Sequence, residues 1–186
     1  MKFNTVNEVK NWKNFKLDGN IYDLSHLNAQ CIEYLDKRAA NKPIAYSFLV
    51  TYSSHCFTKD MEGNSREESQ RLMYDAPKES RPFNFERYEL SKQLPSIVAS
   101  LGNQKTLVCH AGYGNYAIVL VRLLDSNGCE FDYFVPFAVF RESKKLRLHV
   151  LSAYPMYEGV GKINKVGFFV IANKLLLNKK LPRPLK

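Results

Sequence analysis

The chain has 186 residues, 45% hydrophobic and 13% aromatic, which suffices for one substantial core and favours a single domain spanning 1–186 over two. No uninterrupted apolar run approaches the roughly 20 residues of a membrane helix, and Met1 to Asn20 is too polar for a signal peptide, so a soluble cytoplasmic protein without a membrane partner is expected. A formal charge of +9, from 27 basic and 18 acidic residues, points to a polyanionic partner, while four widely spaced cysteines without a CxxC pair read as free thiols.

Val6, Val9, Trp12 and Phe15 recur at intervals of three and predict a short N-terminal helix, capped by Asn4 or Thr5 and ended by Gly19-Asn20. Ile21 to Leu35 admits two readings. Leu24, Leu27, Cys31, Tyr34 and Leu35 fit a helical stripe, the preferred reading, and Cys31 to Leu35 also fits a strand; His26 in this stretch reads as structural. Pro43 to Thr58 is the stretch the chain is organised around. Ile44, Tyr46, Phe48 and Val50 alternate with Ala45, Ser47, Leu49 and Thr51 as in a central strand, which closes on Ser53, Ser54, His55 and Cys56. An imidazole is thereby placed where a buried strand meets solvent, making His55 the leading functional candidate; the alternative is a histidine satisfied by a backbone partner.

Residues 59–81 are polar and read as an exposed loop, with a short helix at Arg66 to Tyr74 and a possible role as lid or substrate arm. From Asn84, Leu90, Leu94, Ile97, Val98 and Leu101 share a helical face that Gly102 ends, and Pro95 either kinks this helix or opens a second one. Arg87 and Ser91 then lie one turn apart, on a side able to face a phosphate. A four-strand antiparallel meander follows: Thr106 to His110, Tyr116 to Leu123, Phe131 to Arg141 and Leu146 to Ala153, each bounded by a turn. Lys165 to Leu177 is strand or helix and leads into a basic tail, 178–186. No acidic residue follows Glu158, so Lys162, Lys165, Lys179, Lys180 and Arg183 are the expected RNA-binding cations. The fold expected from this order is α+β, with N-terminal helices packed on a mainly antiparallel sheet of four to six strands.

His55-Cys56 and Cys109-His110 resemble metal-ligand pairs, yet neighbours on a strand point to opposite faces, so no metal site is expected. Gly112 and Gly114 sit between strands and open no helix, which argues against a nucleotide cofactor. Histidine, arginine, serine and tyrosine on a basic scaffold suffice for metal-independent RNA cleavage with no cofactor. His55 would serve as acid or base, Arg87 would hold the phosphate, and Ser152 and Tyr154 would complete the pocket.

The segment LRLHVLSAYP, Leu146 to Pro155, resembles the closing strand of the barnase, EndoU, colicin and RelE-like ribonuclease toxins. YDLSHL, SSHCFT, FERYELSKQLPSIVASL and KVGFFVIANKLL are similar to a family of bacterial mobile-element proteins. The first resemblance puts Ser152, Ala153 and Tyr154 on the group's pattern, whereas His55 and Arg87 come from residue chemistry. It implies a ribonuclease-type toxin or defence protein, neutralised by an acidic antitoxin or immunity protein that covers the basic cleft. Two rivals stand beside it. One is a non-catalytic module that binds nucleic acid or protein with its 24 Phe, Tyr and Trp residues; the other is an adaptor that docks through its basic tail.

Overall fold

Alternation of large apolar with small or polar residues is what this chain turns into sheet. The structure, a computed structural model, describes residues 9–39, 41–60, 65–125, 127–159, 161 and 164–183, without the side chains of 120–122. In chain order the elements are β1 (Phe15–Leu17), β2 (Asn20–Tyr22), β3 (Gln30–Asp36), β4 (Ile44–Tyr52), α1 (Arg66–Arg71), β5 (Met73–Asp75), β6 (Ser80–Pro82), α2 (Phe85–Ser91) and α3 (Leu94–Ala99). They continue with β7 (Leu107–His110), β8 (Tyr116–Leu124), β9 (Glu130–Glu142), β10 (Lys145–Val150), β11 (Tyr154–Met156), β12 (Lys165–Gly167) and α4 (Phe168–Leu176).

Eight strands make one sheet in the order β12-β7-β8-β9-β10-β4-β3, with β11 pairing to β9. Every pair in it is antiparallel except β10 with β4, which runs parallel and sets Leu148 beside Val50 and His149 beside Thr51. A parallel neighbour needs a long crossover, supplied here by everything between β4 and β10. β1 with β2 and β5 with β6 form separate hairpins. The core lies on one face of the sheet. There α4 packs Phe168 at 5.0 Å from Tyr34 and 5.8 Å from Phe48, and Phe169 at 6.0 Å from Tyr46. Phe48 is fully buried and contributes roughly 2–3 kcal/mol by leaving water.

The expected fold class is overturned: the protein is mostly β, its sheet is mixed and has eight strands, and helices do not pack on it from the N-terminus. The described part of the predicted first helix holds no helix: residues 9–14 are irregular and lead into the β1–β2 hairpin, turned by Asp18 and Gly19 at φ of 50° and 80°. Four apolar residues at intervals of three are weak support for a helix nucleus, and an Asp-Gly pair at positive φ is a strong hairpin signal. Asn4, Thr5 and Val6 lie outside the described residues. Between 21 and 35 the strand reading holds as β3, with Leu24 and Leu27 buried at a 3-10 turn, Ser25–Leu27. Pro95 sits in the first turn of α3, so 85–99 is two helices. Over 59–81, read as a loop with a short helix, the described residues form α1 and the β5–β6 hairpin.

Candidate functional site

β4 ends at Tyr52, and the Ser53 N–H donates to the Val150 carbonyl at 2.9 Å, fastening the chain to the end of β10. The backbone then enters a 3-10 turn, Ser54–Cys56, whose first N–H, from His55, is accepted by Ser53 Oγ at 3.3 Å. Two side chains hold this turn from beneath with three hydrogen bonds. Arg87 Nη1 donates to the His55 carbonyl at 3.1 Å and to the Thr58 carbonyl at 2.7 Å, while Ser152 Oγ donates to the His55 carbonyl at 3.4 Å. The Arg87 guanidinium lies 5.6 Å from the centre of the Tyr154 ring. Asn84, at the N-cap of α2, accepts the Arg87 backbone N–H at 2.9 Å and so places the arginine.

His55, Arg87, and Ser152 with Tyr154 therefore come together from three separate segments. Their arrangement differs from the expected pocket, because Arg87 and Ser152 hold the backbone of His55 and leave its ring to other partners. Burial pushes the Arg87 pKa below its usual value, and the neighbouring Arg81 adds to this. This guanidinium is a scaffold for the turn.

Two residues that sequence reasoning passed over complete the site. Glu79, on the β5–β6 turn, accepts from Ser54 Oγ and pairs with His55 Nε2, both through Oε1 at 2.8 Å. Burial alone would raise the Glu79 pKa, but the Ser54 and His55 contacts and the nearby Arg81 outweigh it and hold the carboxyl below its ordinary range. His149, on β10, bonds Thr51 Oγ1 through Nδ1 at 2.9 Å and is only 8% exposed. Burial foremost, then the charges of Lys78, Arg147 and His55, bring its pKa down to about 4, so its ring is neutral at pH 7. With Nδ1 engaged, Nε2 has no partner among the described residues. A cavity of about 180 Å³ opens here, lined by Ser53, Ser54, Lys78, Glu79 and His149, with Trp12 and Val9 on its apolar side. Glu79 thus joins the His55 ring to the space that His149 lines.

The remaining expected residues stand elsewhere. Lys165 is on β12, five strand spacings from β4, on the order of 24 Å along the sheet. Lys179, Lys180 and Arg183 are exposed in a tail that Tyr116 holds by donating to the Pro182 carbonyl at 3.0 Å, and Lys162 lies outside the described residues. Cys56 is fully buried and its thiol is pushed up to about 12, which makes it a poor nucleophile. His26 pairs through Nε2 with the buried Ser91 at 2.8 Å and is a packing element.

A family model described as "YjaZ family" matches residues 14–176. Protein YjaZ of Escherichia coli (strain K12) is 50% identical over 181 residues, covering 96% of this chain and 98% of that protein. No solved structure matches. The resemblances to ribonuclease toxins and to mobile-element proteins gain no support from these matches. The motif behind the first is also placed differently from a closing strand: β10 has neighbours on both sides, and Tyr154 opens the separate strand β11.

Proposed function

The chain belongs to the YjaZ family, and from the chemistry of its own cleft we propose that it is a metal-independent ribonuclease. The observation that carries this reading is a pair of histidines in opposite surroundings, one lining a small cavity and the other joined to the wall of that cavity through Glu79. His149 is buried, neutral and fixed by Thr51, with Nε2 unpartnered, whereas His55 is tied to the carboxylate of Glu79. Opposed environments of this kind separate a general base from a general acid.

His149 Nε2 takes the proton of the 2′-hydroxyl as its oxygen attacks phosphorus. The bond to the 5′-oxygen breaks, and the leaving oxygen takes a proton from the His55 ring, whose charged form Glu79 neutralises. The products are a 2′,3′-cyclic phosphate and a free 5′-hydroxyl. Lys78, exposed at the rim, supplies positive charge to the equatorial oxygens. Burial and the charges of Lys78 and Arg147 lower the His149 pKa. A phosphate placed in the cavity counters the neighbouring cations and raises the ring toward the range of an effective base. An acidic protein that covers the cleft is the inhibitor such an activity calls for.

The test is incubation of purified protein with single-stranded RNA in chelator. Cleavage leaving cyclic-phosphate ends, reduced about 10²–10⁴-fold by His149→Ala and by His55→Ala with the fold intact, is the expected result. Intact RNA at stoichiometric protein, or cleavage indifferent to both substitutions, overturns the reading. Tight binding without turnover identifies a non-catalytic module instead.

A further inference from the structure

The sheet has two faces, and the rings of α4 lie against only one, where they meet Tyr34, Tyr46 and Phe48. On the opposite face an antiparallel sheet that meets water carries polar residues at alternate positions. β9 departs from that pattern. Between its buried residues Tyr133, Val135, Phe137 and Val139 it sets Phe134, Pro136, Ala138 and Phe140, all half-buried and all apolar.

The strand register states what surrounds this strip. His149 is level with Ala138 on one side and Thr51 on the other, and Arg147 is level with Phe140 and Leu49. Tyr154 is level with Phe134, their rings 5.6 Å apart. The base of the reaction proposed above therefore stands between an aromatic pair and a single ring, Phe140, which touches no other ring among the described residues. At about 3.4 Å per residue, Phe134 is roughly 14 Å and Phe140 roughly 7 Å along the strand from the level of His149. Positive charge accompanies the strip. Arg147, 3.7 Å from Glu142, lies beside Phe140, and Lys144 and Lys145 border a groove of about 420 Å³ that Cys31, Ala45, Ser47 and Leu49 help to line.

We propose that this face is the bed of a single-stranded RNA, with bases stacked on Phe134 and Tyr154 to one side of His149 and on Phe140 to the other. Stacking on a sheet accepts any base, because every base has a π-face, but it requires that the bases be unpaired. The bed thus defines the substrate class as single-stranded, with the backbone passing the mouth of the cavity that His149 lines, in the interval between the ring platforms. The position of the scissile bond rests on the ribonuclease reading; the stacking does not.

The test uses full-length protein carrying His55→Ala, so that RNA survives, and a fluorescein-labelled ten-nucleotide single-stranded RNA read by anisotropy in chelator. Phe134→Leu and Phe140→Leu keep an apolar side chain and remove the stacking face; each weakens Kd about 10-fold or more, and Phe140→Trp restores it. The same sequence as a duplex binds at least 10-fold more weakly than the single strand. Leucine variants with unchanged Kd, or a duplex bound as tightly, overturn the proposal. So does a dimer in sedimentation that Phe140→Leu dissociates, since a second copy would then own the face. Cleavage by the unmodified protein with Kd and KM indifferent to both rings refutes this inference alone, whereas ring-dependent binding without cleavage refutes only the ribonuclease reading.

Discussion

Arg87 is the sharpest point at which two accounts of this site diverge. As a phosphate clamp it would matter to substrate; as a scaffold it matters to the turn that carries His55. Arg87→Met keeps most of the aliphatic stem and removes the two bonds, at 3.1 and 2.7 Å, to the carbonyls of His55 and Thr58, together with the contact to Tyr154. Hydrogen bonds from a charged donor are worth about 1.5–3 kcal/mol each, and a cation over a ring roughly 0.5–2 kcal/mol. Against this, the burial that depresses the Arg87 pKa is a cost the methionine does not carry. The balance is a loss of about 3 kcal/mol, which for a domain of this size lowers Tm by about 6–12 °C. Arg87→Lys keeps the charge, but a single ammonium replaces the planar fork, and it recovers at most half of that loss. Thermal melts by circular dichroism measure the first quantity, and RNA cleavage measures kcat and KM. The expected pattern is a lower Tm and kcat in both variants, with KM changed less than about threefold. An Arg87→Met protein that melts within about 2 °C of wild type while KM rises tenfold would refute the scaffold and return the guanidinium to the substrate.

The depressed pKa of His149 makes stability depend on pH with a defined sign. The unfolded ring binds its proton near 6.5 and the folded ring near 4, so the stabilisation is full above about 6.5 and is lost as pH falls toward 4, by on the order of 3 kcal/mol. Urea melts across that window should show this slope, and His149→Leu should flatten it. Glu79→Gln removes the carboxylate from His55 Nε2 at a position 38% exposed, so a drop in kcat of about tenfold with little change in Tm is expected from paired kinetic and thermal measurements. In native protein an aromatic disulfide reagent should label Cys31 and Cys129 quickly, both exposed, while the buried Cys56 and Cys109 react only on unfolding. Asn84→Ala removes the cap that fixes Arg87 in the first turn of α2 and should cost about 1 kcal/mol in denaturant titration.

What the sequence discloses about this site divides by the range of the interaction. β4 is legible because its alternation is uninterrupted, and so the position of His55 at its end is legible too. Arg87, Ser152 and Tyr154 are reachable through residue chemistry, yet their roles are not, because nothing local says that a guanidinium will be spent on the carbonyls of His55 and Thr58. Glu79 is hidden by composition. The polar stretch around it reads as loop, although Met73–Asp75 and Ser80–Pro82 flank Ala-Pro-Lys-Glu as a short hairpin, a signal that a search for strands as brief as three residues would have found. The N-terminal helix fails for a different reason, since a period of three over a few residues is weak evidence beside an Asp-Gly turn.

His149 is the instructive case, and it turns on topology. Within the predicted meander Leu146, Leu148 and Val150 alternate with Arg147, His149 and Leu151, and nothing in that alternation names the strand that lies on the outer side of His149. With no strand there the ring would meet water. In the protein β4 lies parallel along that side of β10 and brings Thr51 to within 2.9 Å of Nδ1, a pairing across 98 residues of sequence. The same insertion buries the ring and aligns the ends of β4 and β10, where the Ser53 N–H meets the Val150 carbonyl and His55 follows two residues later. One parallel pair therefore does three things at once: it removes water from one histidine, gives its Nδ1 a hydroxyl partner, and brings the second histidine to the neighbouring turn, where Glu79 links it to the cavity wall. The difference in burial and partners between the two histidines is thus a property of the strand order and of neither residue alone.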